Sequence, residues 1–170
     1  YKIKNIRFLL TLIMTAILFT YCGIYSFTGA SISPSIKTVL ITYFPNKANI
    51  IQPTLSHTFT EKLKDIFIEQ TNLTLNEQES DLNFIGYIKN YQIKPIAIQS
   101  NETAAQNRLT ISIFVSFKNK IDPSKNFEEV FVRYKDYESS NTLTEIEETL
   151  IDEITNQITE DIFNKAVVNW

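Results

Sequence analysis

The chain has little of what most site chemistry needs: one cysteine, one histidine and three glycines in 170 residues. With Cys22 alone no intramolecular disulfide can form, so cysteine pairing gives no reading of the compartment. His57 has no second histidine and no nearby cysteine to complete a zinc-type ligand set. Three glycines cannot build a phosphate-cradling loop, and no G-x-S-x-G nucleophile elbow occurs. Neither a metal nor a cofactor is expected. Few glycines and five prolines also leave little room for long disorder.

Charge of one sign is missing from the start of the chain. Lys2, Lys4 and Arg7 are the only charged residues before Cys22. Without these three, 13 Lys and Arg stand against 19 Asp and Glu, a balance of −6. An acidic body gains nothing from the electrostatics that drive nucleic-acid binding, so no nucleic-acid partner is expected.

What is present begins with the basic stretch Tyr1–Arg7 and the uncharged apolar run Phe8–Thr20. Together they form the basic and apolar regions of a secretory signal. The run is shorter than the ~20 residues of a membrane-spanning helix, which is the alternative reading. It ends at Cys22-Gly23, where bacterial lipoproteins carry their lipidated cysteine; two or more acyl chains there give stable anchoring. Tyr21 and Phe19 stand where a lipobox has a small and an aliphatic residue, and Thr20 fits the pattern. Otherwise Cys22 is a small apolar residue closing the run. The expected division is a signal segment over 1–21 and one domain over 22–170.

Past Cys22, Ile24–Phe27 is strand-like, and Lys37–Phe44 is β-branched and aromatic on both faces, as in a central strand. Pro53 opens a helix to Gln70, with Gln52 or Thr54 near its cap and Leu55, Phe59, Leu63, Ile66 and Phe67 at helical spacing. Thr71–Leu75 runs extended. Leu82–Ile98 alternates, but its phase slips between Ile88 and Tyr91, which predicts a bulge near Lys89–Asn90. Pro95 belongs at an edge or bulge. Gln99–Asn107 is a polar loop.

Leu109, Ile111, Ile113, Val115 and Phe117 alternate with Thr110, Ser112, Phe114, Ser116 and Lys118, giving one apolar and one mostly polar face. A turn at Asp122-Pro123-Ser124 leads to a strand over Phe127–Tyr137, an antiparallel hairpin. Thr142 and Glu145 match a capping box. From there Ile146, Leu150, Ile154, Ile158, Ile162 and Ala166 recur at steps of four. Its acidic polar face suits packing on a sheet, not a membrane surface.

The order β-α-β-β-β-α predicts an α+β two-layer sandwich: two helices on one face of a mixed four-stranded sheet. The acidic pairs Glu128/Glu129, Glu147/Glu148, Asp152/Glu153 and Glu160/Asp161 fall on polar positions and read as solvated faces rather than acid–base pairs. A non-enzymatic role is expected.

Cys22-Gly23-Ile24-Tyr25-Ser26-Phe27-Thr28-Gly29, Val39–Phe44 with Pro45-Asn46, and Gln52-Pro53-Thr54-Leu55-Ser56 with Phe59-Thr60 make an ordered set. Ala104-Ala105-Gln106-Asn107-Arg108-Leu109-Thr110-Ile111, the Asn119-Lys120 to Asp122-Pro123 turn, Phe127-Glu128 and the Tyr137 region complete it. The set resembles LptE-family lipoproteins of the Bacteroidota over nearly all of Cys22–Trp170. The resemblance implies an outer-membrane lipoprotein, lipid-anchored on the periplasmic side. Such a protein plugs and helps assemble an LptD β-barrel and assists lipopolysaccharide transport. A barrel lumen is polar and lipopolysaccharide carries phosphates. Arg108, Lys118, Lys120, Arg133, Lys135, Lys89 and Lys94 are therefore the candidate barrel or lipopolysaccharide contacts; otherwise they are solvated lysines and arginines that discourage edge aggregation. The alternative is a free-standing periplasmic lipoprotein that binds a small ligand or peptide.

Overall fold

The computed structural model describes residues 32–96 and 105–168. Five strands and two long helices follow in the order β1 (Thr38–Ile41), α1 (Leu55–Gln70), β2 (Thr74–Leu75), β3 (Leu82–Ile96), β4 (Gln106–Asn119), β5 (Phe127–Glu138) and α2 (Leu143–Phe163). The sheet order is β2-β1-β3-β4-β5. β1 pairs in parallel with β2 and β3, and β3-β4-β5 form an antiparallel meander. The α+β class and the mixed sheet match the expectation. The strand count does not: the sheet has five strands, not four, in the order β-α-β-β-β-β-α. The addition is β2, inside the stretch read as merely extended. Two residues carry no alternation, and β2 shows itself only through backbone bonds, Thr74 N–H to Lys37 O and Asn76 N–H to Val39 O, both 2.9 Å.

Local chemistry explains the boundaries. α1 starts at Leu55, and its first amides are capped from outside the helix. The Gln52 Oε1 accepts from Thr54 N–H at 2.8 Å and Leu55 N–H at 2.7 Å, which relieves two orphan donors. At α2 the expected capping box does not close: Thr142 is the N-cap but makes no side-chain cap bond. The bulge is where the phase slip placed it, with the β3–β4 register shifting between Ile88 and Asn90. Pro95 pairs with Asn107 on its β4 side and lies beyond the stretch that pairs with β1, so its missing N–H costs no ladder bond. β4 begins at Gln106, inside the expected loop.

The residues of β3 and β4 that alternate inward, among them Phe84, Ile88, Tyr91, Ile111, Val115 and Phe117, join the apolar stripes of α1 and α2 in one core. Phenylalanines stitch the layers together. Phe163 of α2 meets Phe67 of α1 at 5.1 Å, Phe67 meets Phe84 at 4.9 Å, and Phe84 meets Phe117 at 4.7 Å between ring centroids. Tilted and edge contacts of this kind add about 0.5–1.5 kcal/mol each beyond area burial. Phe44 packs so closely over Gly86 that a Cβ there would lie 2.4 Å from its ring and 2.1 Å from the Phe114 carbonyl oxygen. A glycine is needed at that crossing.

Ion pairs then close α2 over β5. Arg133 donates two bonds to Asp161 (2.6 and 2.7 Å), Lys135 Nζ lies 2.6 Å from Glu153, and Lys165 pairs with Glu129. Higher up, the Tyr91 hydroxyl donates to Glu147 at 2.5 Å. Burial, reinforced by that carboxylate, holds the phenol far above its ordinary pKa, so it stays a donor.

Candidate functional site

Because both helices cover one side of the sheet, the other side of β3-β4-β5 is left without a covering layer among the described residues. Register assembles it in rows. Lys94, Arg108 and Asp136 form one row; Gln92, Thr110 and Tyr134 the next; then Asn90, Ser112 and Val132. Tyr87, Phe114 and Val130 follow, then Ile85, Ser116 and Glu128, with Asn83 beside Lys118 at the far end. The middle is apolar: Ile85 and Val132 are 50% exposed and Tyr134 49%. Hydroxyl and amide side chains surround that patch, and cations mark the two ends.

The aromatic groups are held in place. Tyr87 stacks on Phe114 with centroids 5.1 Å apart, and Lys47 Nζ sits 4.6 Å above the Tyr87 ring. The Arg108 guanidinium lies 3.7 Å from the Tyr134 centroid and forks onto Asp136 at 2.6 and 2.8 Å. The bond to Asp136 raises the arginine's pKa, and the same bond to Arg108 lowers that of Asp136. Lys94 stands directly across from Arg108. Like charges opposed across a ladder repel, and Asp136 offsets the excess on one side only. The row therefore keeps a net positive charge where a phosphate could bind.

The sequence candidates divide between two faces. Arg108, Lys94 and Lys118 are on the helix-free face, and Lys89 is exposed at the bulge. None of the three lysines forms an ion pair among the described residues. Lys120 follows β4 and meets Glu79 at 3.1 Å. Arg133 and Lys135 do share a face, as expected, but it is the helix-facing one, where they hold α2. Cys22 lies outside the described residues. His57 is exposed on α1, off its apolar stripe. Sequence reasoning passed over Lys47, Tyr87, Phe114, Tyr134 and Asp136. A signal existed for one of them: Phe114 is the aromatic residue in the otherwise polar phase of β4.

The chain matches the family model described as lipopolysaccharide-assembly, LptE, over residues 36–166. It belongs to the LptE family. The family resemblance read from the residues thus holds over residues 36–166, and LptE membership carries a role in lipopolysaccharide assembly at the level of the family. No curated protein matches the chain by sequence. Among solved structures, the hypothetical protein CT253 from Chlamydia trachomatis aligns with TM-score 0.50 at 10% identity, covering 79% of this chain and 98% of that one. A minor lipoprotein from Acinetobacter baumannii aligns at 0.48 and 14% identity, covering 78% and 97%. The rare lipoprotein B from Shewanella oneidensis aligns at 0.44 and 12%, covering 75% and 92%. The first of these likenesses supports the fold; fold alone does not transmit function.

Proposed function

We propose that this LptE-family chain is a non-enzymatic outer-membrane lipoprotein that occupies an LptD-like β-barrel, helps it assemble and assists lipopolysaccharide transport. A lipid on Cys22 would hold it on the periplasmic side, with residues 1–21 as the signal segment. The family match over 36–166 carries the reading. The helix-free face supports it, because an apolar middle with hydroxyls and terminal cations suits an amphipathic, phosphate-bearing ligand or a mixed protein wall. Arg108, Lys94 and Lys118 are the contacts this geometry favours, whereas Arg133 and Lys135 are occupied by α2.

Affinity purification of the tagged chain from detergent-solubilised outer membranes, followed by mass spectrometry, tests it. A large β-barrel at one-to-one stoichiometry is expected. Recovery of the chain alone, folded, would sink the barrel reading and leave a free-standing ligand- or peptide-binding lipoprotein.

A further inference from the structure

Ile50 and Ile51 follow one another on the connection from β1 to α1, and they are 54% and 68% exposed. Ile51 is the barest large apolar side chain among the described residues, and Tyr43, at the start of the same connection, is also exposed. Off the helix-free face, the other exposed isoleucines, Ile68 and Ile121, stand singly, as on ordinary surfaces. The pair is held out by its loop. Pro45 O accepts from Ile88 N–H at 3.0 Å, and Lys47 N–H donates to Ile88 O at 2.9 Å. The Asn46 side chain then closes the loop on itself: its Oδ1 accepts from Ala48 N–H at 3.0 Å and its Nδ2 donates to Gln52 O at 3.3 Å. Ala48 is buried, so Asn49, Ile50 and Ile51 are what project. Charge nearby in the chain has one sign. No Asp or Glu occurs from Ile32 to Thr60 or along β3, although the chain past Cys22 balances at −6. Lys47 and Lys89 stand on either side of the bond to Ile88, both exposed and neither in an ion pair among the described residues. Lys47 Nζ lies 4.6 Å above the Tyr87 ring, a contact that leaves its charge without a counter-ion.

We propose that the Ile50–Ile51 tip, flanked by Lys47 and Lys89, inserts shallowly into an anionic lipid surface. Interfacial binding takes its strength from buried apolar area and from cations set against anionic headgroups, and this loop supplies both. Tyrosine is favoured at headgroup level, which suits an exposed Tyr43 beside the tip. Other occupants fit the charges less well. A second copy docked tip to tip would set lysine against lysine, and a neutral apolar partner would leave Lys47 and Lys89 desolvated and unpaired. The inference rests on the reading that the N-terminal segment holds the chain at a membrane. The ten residues from Cys22 to Ile32 span up to about 33–36 Å. β1, which separates Ile32 from the loop, is only about 13 Å long. An anchor at Cys22 therefore leaves the tip within reach of the same leaflet. One chain per barrel is untouched, because the tip is a few residues at one end of β1 and the helix-free face stays available.

Single-tryptophan fluorescence reads which part of the domain meets lipid. The full chain carrying Trp170→Phe and Ile51→Trp is reconstituted from detergent into vesicles of equal parts phosphatidylcholine and phosphatidylglycerol, and flotation reads attachment. Its emission should shift to the blue and fall about two-fold when the phosphatidylcholine carries brominated acyl chains, as for a side chain at the acyl boundary. Ile121→Trp in the same background, on the turn after β4 at the opposite end of the sheet, should show neither effect. Adding Lys47→Gln and Lys89→Gln to the Ile51→Trp chain should return its emission towards that in water, as should vesicles of phosphatidylcholine alone. In chains that float, an Ile51→Trp with water-like emission overturns the proposal. So does one that is blue-shifted but not quenched, since protein then covers the tip. Stronger quenching at Ile121→Trp than at Ile51→Trp also overturns it, because the other end of the sheet then faces the lipid. Quenching that ignores both the lysines and the lipid charge overturns the anionic surface. If Ile51→Trp does not fold by circular dichroism, Ile50→Trp takes its place against the same outcomes. A chain that does not float overturns the membrane reading together with this one, whereas quenching at the tip with no barrel on purification sinks the barrel reading alone.

Discussion

Single side chains separate what holds this domain together from what it offers outward. Arg108 and Asp136 form a solvent-facing fork, and exposed pairs of this kind add little to stability. Arg108→Ala should leave the melting temperature nearly unchanged. If the face takes phosphate, the same change weakens lipopolysaccharide binding, while Asp136→Asn, which frees the guanidinium, strengthens it; a vesicle or micelle binding assay reads both. Equal affinities in all three proteins would remove Arg108 from the site. Asp81 does the opposite kind of work. Its Oδ2 accepts from Lys37 N–H at 2.8 Å, Thr38 N–H at 3.0 Å and the Thr38 hydroxyl at 3.1 Å, joining the start of β1 to the start of β3. The Lys37 amide is the largest cause of its lowered pKa, partly opposed by burial. A carboxylate depressed on folding stabilises above its unfolded pKa of about 3.9, and the contribution is lost as pH falls through the folded value. The gap in melting temperature between the natural chain and Asp81→Asn should be full at neutral pH and close under acid. A gap that does not change with pH would mean the charge is immaterial there.

The elements show why some of this was legible in the residues and some was not. Long periodic stretches announce themselves: the leucine and isoleucine stripe of α2, the clean alternation of β4 and the one-residue slip in β3 each correspond to an observed feature. β2 escaped because two residues have no period and its bonds come from a strand more than thirty positions earlier. The capping box misled for a related reason. Thr142 and Glu145 have the right spacing, but spacing does not set the rotamer, and the cap bond is absent. At α1 the real acceptor is Gln52. Loss of an N-terminal acceptor costs roughly 1 kcal/mol, so Gln52→Ala should lower unfolding free energy by about that amount in urea titrations, and Thr142→Ala by clearly less. The reverse order would mean that α2 and not α1 depends on its cap. The candidate cations were visible as residues but not as a site. Arg133 and Lys135 differ from Arg108 only in strand phase and neighbour, and that distinction exists only once β5 is in register beneath α2.

At the scale of the whole molecule, one sheet face is sealed by two helices and the other is open among the described residues, and the proposed role puts the open one to use. The sealed side carries the stability, since Phe67, Phe84, Phe117, Ile88, Ile111 and Ile113 are fully buried there. The open side can be altered without touching them. Ile85 and Val132 are half exposed on that face, and surface changes away from packed groups usually stay within about 0.5 kcal/mol. The double variant Ile85→Glu with Val132→Glu should therefore melt close to the natural chain. It places two carboxylates in the apolar middle, where burial against a barrel wall or acyl chain would leave them unpaired and costly. It should consequently lose the barrel on purification from outer membranes. Glu148→Lys, on the exposed side of α2, reverses a charge without altering the open face and should retain the barrel at the natural ratio. If instead the helix variant loses the barrel and the sheet variant keeps it, the helical layer is the docking side, and the row of Lys94, Arg108 and Asp136 has another use.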